Sequence, residues 1–157
     1  MHGWKRSLAF TLVFGGLLLF GGCGPGNPVA TGVDRDTRIR LNILANLYID
    51  YLSFHRGTPP KDMEAFREFL ESRSDELKMY KESGVVGSVE DLLTSARDSK
   101  PFIVIFGKPM KVSQSPDAFW VAYEQQGVDG NRLAVSTYGG EQLLSPDEFS
   151  SEFSKAH

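Results

Sequence analysis

The spacing of hydrophobic residues changes once along the chain, near residue 100, and the change separates helices from strands. Between residues 34 and 55, Leu41, Leu44, Tyr48, Tyr51 and Leu52 recur at helical spacing on one face, and Ile43, Leu47 and Phe54 widen it. Asp34 or Asp36 suits the start of that helix. His55, Arg56 and Gly57 suit its end, because cations favour the negative helix terminus and glycine accepts the left-handed cap. The following Thr58-Pro59-Pro60 forces an extended link. Asp62 then predicts a second helix with Glu64 in its first turn and Met63, Phe66, Phe69 and Leu70 along one side. Residues 72–80 extend that helix or form a separate turn, and Gly84 ends the stretch. Ser88-Val89-Glu90-Asp91 has the form of a capping box before a short helical piece.

Beyond Pro101 the apolar residues come in strand-length runs. Residues 102–106 predict one strand, 119–124 a second and 132–138 a third, and 142–144 suit a short fourth. In the third, Leu133, Val135 and Thr137 face one way and Ala134, Ser136 and Tyr138 the other. Residues 108–117 read as a connection. Ser145-Pro146-Asp147-Glu148 combines a cap, a first-turn proline and a glutamate that reaches back, which predicts a closing helix. The expected class is α+β: amphipathic N-terminal helices on a three- to four-stranded antiparallel meander, with a short C-terminal helix and no internal repeat.

The first 33 residues follow neither pattern. Lys5 and Arg6 precede an uncharged, largely apolar run over residues 7–20, and Gly21 and Gly22 stand before Cys23. The order positive, apolar, small is that of an export signal. The run is short for a bilayer core of about 30 Å, and Gly15 and Gly16 interrupt it, which argues against a spanning helix. Residues 24–33 are rich in glycine and proline and read as a tether. Ten such residues reach at most about 36 Å. The expected division is a signal at 1–22, an anchor and tether at 23–33 and a single domain at 34–157.

Leu19-Phe20-Gly21-Gly22-Cys23 resembles the lipobox of bacterial lipoproteins, with Phe20 where the family usually has Leu. The resemblance implies that Cys23 is acylated and becomes the mature N-terminus. It places the protein on a cell membrane or outer membrane, held by its N-terminal lipid and facing the periplasm or exterior. Each buried methylene contributes about 0.8 kcal/mol, so two or more acyl chains hold a protein stably. Residues 44–60, 98–107 and 121–131 resemble a group of uncharacterised lipoproteins of planctomycete-type bacteria. More distantly, the meander with Gly127-Val128-Asp129-Gly130 resembles the globular end of type II secretion major pseudopilins. The leader departs from the pilin pattern, with Ala9 before Phe10 and Phe14 at the usual glutamate position.

Charge narrows the partners. The chain carries a formal −3, and loss of Lys5 and Arg6 with the signal leaves −5, so no basic footprint for nucleic acid is expected. Cys23 is the only cysteine, which excludes an internal disulfide and a thiolate metal site. Of three histidines, only His55 falls inside the expected domain, and its position suggests a helix end. No Gly-x-Ser-x-Gly elbow presents a serine to it. Asp129-Gly130-Asn131 lacks the spacing and further oxygens of an EF-hand loop and reads as a hairpin turn, with a pseudopilin-like calcium site as the alternative. Glu64, Glu68 and Glu71 form an acidic helix stripe, expected to face solvent. Arg97-Asp98-Ser99-Lys100 reads as a polar turn rather than a phosphate cradle. In the second strand Phe119 or Trp120 should point outward, where an exposed aromatic would seed a partner surface. No catalytic residue, cofactor or metal is expected. The leading expectation is a non-catalytic envelope domain that binds or scaffolds an envelope protein. The alternatives are a pilin-like secretion component and a carboxylate hydrolase, the latter requiring two carboxylates facing each other in a pocket.

Overall fold

The computed structural model describes residues 32–153 except 83, 85, 108 and 139. Cys23, the apolar leader and residues 24–31 of the expected tether lie outside the described residues. Among the described residues, five helices and five strands follow in the order α1 (Gly32–Phe54), α2 (Met63–Ser72), α3 (Ser74–Glu82), α4 (Val89–Leu92), β1 (Phe102–Val104), β2 (Met110–Val112), β3 (Ser115–Glu124), β4 (Arg132–Ser136), β5 (Glu141–Leu144) and α5 (Pro146–Phe153). The class is α+β. Gly32 and Val33, assigned to the tether by composition, belong to α1.

Local chemistry explains most boundaries. Asp62 accepts a hydrogen bond from the Ala65 N–H and starts α2, as its position predicts. Ser88 accepts from Asp91 N–H and starts α4, but the return bond runs from Gly87 N–H to Asp91 Oδ2. Ser145 and Glu148 close a reciprocal box at α5: Ser145 N–H donates to Glu148 Oε2 at 2.8 Å, and Glu148 N–H points back at Ser145 Oγ. Those Ser145 hydrogen bonds hold the Glu148 carboxyl below the usual carboxylate range. At the end of α1, Arg56 (φ 54°) and Gly57 (φ 81°) both turn left-handed, and Gly57 N–H reaches back to Leu52 O.

The sheet is antiparallel, ordered β1-β3-β4-β5, with β2 also on β3. β3 is the spine. Its C-terminal half pairs with β1 (Phe102 opposite Glu124) and its middle with β2 (Met110 opposite Trp120). The Ile105 N–H still donates to Val121 O at 2.8 Å, and pairing with β3 resumes at Met110. The stretch 108–117, read as a connection, instead contains β2, a turn at Ser113 and Gln114, and the first residues of β3. Lys111 and the flanking Met110 and Val112 carry too few apolar positions to announce a strand alone. A bulge at Val121 shifts the register between β3 and β4, and Val121 and Ala122 both reach the same core.

Both faces of the sheet are covered. On one, Leu41, Leu44, Leu47, Tyr48 and Tyr51 of α1 pack with Phe66 and Leu70 of α2, Leu92 of α4 and Phe102, Val121, Leu133 and Val135 of the strands. On the other, Phe153 of α5 packs with Val112, Ala118, Trp120, Ala134 and Leu144, with Phe149 beside it. Leu133 and Val135 thus face α1 and Ala134 faces α5, as alternation predicts. Trp120 does not point outward: it is buried under α5, and its indole N–H donates to Glu152 Oε2 at 3.0 Å. Phe119 is half-buried. The eight-residue closing helix covers the face that a bare meander leaves open. Phe54, expected to widen the α1 face, is 66% exposed, with the Arg73 guanidinium 4.2 Å over its ring. As the last residue of α1 it lies beside the Phe69 ring of α2, and a cation–π contact takes the place of full burial.

Candidate functional site

The N-terminal half of α1, where the chain enters the domain, is held differently from the rest of that helix. Asp34, Thr37, Arg38, Arg40 and Asn42 are polar, and at about 100° per residue they point to several sides of the helix. Asp34 and Thr37 meet Arg97, Arg38 and Asn42 meet Glu141, and Arg40 meets the end of α4. Together they make a polar collar around the first turns.

The most buried part of the collar is an ion-pair chain. Glu124, the last residue of β3, is 0% exposed. Its Oε1 accepts from the Ser95 hydroxyl at 2.7 Å, and its Oε2 accepts from Leu133 N–H at 2.8 Å and from Arg97 Nη1 at 3.1 Å. The Arg97 side chain is 7% exposed, and its Nε lies 2.8 Å from Asp34 Oδ1 without an aligned hydrogen bond. The Arg97 backbone N–H donates to the buried Thr37 hydroxyl at 3.1 Å. A buried charge is costly unless paired and hydrogen-bonded, and here carboxylate and guanidinium satisfy each other. Arg97-Asp98 lies in a polar turn, as the sequence suggests, but a half-buried one engaged with the rest of the fold. Asp98 Oδ2 also accepts from Gln126 and Gly127 N–H, and Oδ1 from Lys100 N–H, joining the loop to the β3–β4 hairpin.

The other collar contacts flank this chain. Arg40 Nη1 donates to Asp91 O and Thr94 O at the end of α4, where the helix dipole favours a cation. Glu141 of β5 accepts from Arg38 Nη1 at 3.1 Å and from Asn42 Nδ2 at 2.8 Å. Burial pushes the Glu141 carboxyl up, but the Asn42 amide, its own backbone N–H and Arg38 outweigh this and hold it below the usual carboxylate range. Past Asn42 the helix is held mainly by apolar and aromatic packing. Tyr48 adds a polar contact: its hydroxyl donates to Ile105 O at 2.9 Å, and burial, with Tyr51 adding, pushes it up to about 12.

Chemically the collar binds structure to structure. Both oxygens of Glu124 are engaged, which leaves it poorly placed to take a proton from a substrate. His55 stacks on Tyr51 at 3.9 Å, with Nδ1 2.9 Å from Tyr51 O, as a residue at a helix end. Asp129 (φ 52°) and Gly130 (φ 79°) form a two-residue hairpin turn closed by reciprocal bonds between Val128 and Asn131. Glu64, Glu68 and Glu71 are exposed on α2. Among the described residues, no three His, Cys, Asp or Glu side chains cluster to hold a metal, and no helix is long and apolar enough to cross a membrane. Apart from the collar, an open groove of about 750 Å³ runs between α3 and the start of α4, with Leu77, Val86 and Val89 in its lining and Lys78, Lys81, Glu71 and Glu82 among its charged residues.

The collar was not anticipated from sequence. The available signal was Glu124, a carboxylate two positions after Ala122 on a strand whose alternate residues face α1. The chain matches no known family, no curated protein and no solved structure.

Proposed function

We propose that this protein is a lipid-anchored envelope component whose folded domain binds or scaffolds another envelope protein and performs no chemistry. The observation that carries the reading is the spacing of two features. Cys23 closes a lipobox-like segment after an apolar leader, and α1 begins at Gly32, nine positions later. Nine residue steps reach at most about 32 Å, so an acylated Cys23 holds the domain close to its membrane. The engagement of Glu124, Asp98 and Glu141 in structural hydrogen bonds supports a role in binding rather than catalysis.

Metabolic labelling with a radioactive fatty acid tests the anchor. The wild-type chain takes up label and fractionates with membranes, whereas Cys23→Ser is unlabelled. Equal labelling of the two proteins ends the proposal. Crosslinking in intact envelopes, followed by mass spectrometry, then identifies the bound protein.

A pilin-like role is the second reading, and one observation favours it: α1 lies against β3 and β4 of an antiparallel meander. It predicts self-assembly through the N-terminal segment into filaments visible by negative-stain microscopy. Dispersed particles at high concentration count against it.

A further inference from the structure

At the far end of α1 the fold holds a cation in place and gives it no anion. The guanidinium carbon of Arg73, just past α2, lies 4.2 Å from the centroid of the Phe54 ring and 5.1 Å from that of Phe69. The two rings stand 6.3 Å apart at an angle of 51°, so the guanidinium rests against both at once. Tyr51 meets Phe69 edge-on at 5.1 Å and stacks on His55 at 3.9 Å, which braces the pair. Contact with a ring satisfies the face of a guanidinium and leaves the N–H donors in its plane unused. Among the described residues, no carboxylate lies within ion-pairing distance of Arg73, and no side-chain hydrogen bond engages it. Arg132 provides the contrast: its guanidinium lies 4.2 Å over Phe149, but its Nε–H donates to Gln126 O. Phe54 itself is an exposed aromatic.

We propose that Arg73, with Phe54 and Phe69, is a binding site for a carboxylate that has an apolar side chain beside it, presented by a partner protein. A planar guanidinium takes a carboxylate by two parallel hydrogen bonds. The flanking rings lower the local dielectric and strengthen that pairing. Because they already hold the arginine, little side-chain freedom is lost on binding. The Phe54 ring supplies the apolar contact, and an aromatic beside an arginine is the composition of an interface hot spot. One carboxylate fits better than an acidic run. Glu71, Asp75 and Glu76 flank Arg73 in sequence and the chain is negative overall, so further acids are repelled. That the ligand belongs to an envelope protein rests on the binding reading above. In that setting the site is accessible: the 23 residues of α1 put about 34 Å of helix between Phe54 and Gly32, where the linker enters.

Two-dimensional NMR of the full-length protein, read at the arginine Nε–H groups, tests the site with N-acetyl-phenylalanine as the probe. The probe shifts Arg73 Nε–H saturably, with a millimolar affinity that suits so small a ligand. N-acetyl-phenylalaninamide, which lacks the carboxylate, and acetate, which lacks the ring, each bind about tenfold more weakly or worse. Arg73→Lys keeps the charge without the fork and is read at the Phe69 ring. Phe54→Ala removes an exposed ring and is read at Arg73. Each lowers affinity for the probe about tenfold, and the Leu133 amide, bonded to Glu124, keeps its wild-type position. The proposal is overturned if the amide binds as tightly as the acid, if either substitution leaves the affinity unchanged, or if Arg132 Nε–H shifts as far as that of Arg73. It is equally overturned if inorganic phosphate binds as tightly as the probe, since the site then reads charge alone. Full-length Cys23→Ser binds the probe like the wild type. A failure of fatty-acid labelling therefore strikes the anchor, and a failure of the probe strikes this site.

Discussion

Single residues decide the two tightest places in the structure. Gly127 has φ +75°, and a β-carbon built there lies 2.2 Å from Asn131 O. Gly127→Ala therefore strains the backbone and collides with the hairpin it opens. A loss of about 3 kcal/mol is expected, read as a lower urea midpoint at unchanged slope. Glu124→Ala strips the buried Arg97 of its main partner, and a loss of about 3–5 kcal/mol follows from leaving that charge uncompensated. Glu141 supplies a pH signature. Its folded-state carboxyl titrates lower than in the unfolded chain, so its contribution is present above the unfolded pKa and fades as pH falls through the folded one. Glu141→Gln thus flattens the decline in urea stability between neutral pH and pH 3, and an unaltered decline contradicts the assignment. The roles of Glu124 and Glu141 were invisible in sequence because each depends on a partner far along the chain: Arg97 lies 27 positions from Glu124, and Arg38 meets Glu141 across 103.

At the scale of elements, the order of helices and strands was readable wherever period, cap and breaker agreed. Asp62, Ser88 and Ser145 marked helix starts that the backbone adopts. The misreadings share one cause, which is tertiary support for weak local signals. β2 is three residues long and exists because β3 offers it a paired edge. Strand alternation left either Phe119 or Trp120 to point outward, and it is α5 that decides the matter by covering Trp120. The Phe149 and Phe153 rings stack 4.5 Å apart, and Phe153 stands 5.5 Å from Trp120 and 4.6 Å from Tyr123. Phe153→Ala should cost about 3 kcal/mol and shift Trp120 fluorescence to the red. A mutant with unshifted emission means that α5 is not what keeps water from that ring.

For the molecule as a whole, the α1 helix is held by two kinds of force along its length. Polar contacts secure the half next to the linker, and hydrophobic packing secures the half that meets α2. Salt therefore acts unevenly: a chloride titration should loosen the partly exposed Arg38–Glu141 and Asp34–Arg97 contacts while leaving the Tyr48–Phe66 end unchanged. With residues 1–22 removed, the net charge of −5 predicts elution from a DNA column at low salt, and retention beyond physiological ionic strength argues against the charge reading. The fold class followed from composition and period. The collar did not, because its meaning appears only when the two ends of the chain come together.

The position of α1 at the head of the domain also sets the timing of its maturation. A ribosome releases this helix first, while Val121 and Val135, against which Leu44 is destined to rest, are made more than seventy residues later. Throughout that interval only α2 and α4 are at hand to cover the apolar face of α1. Such non-local closure is slow, and the apolar face of α1 is completed only after the β4 strand has emerged.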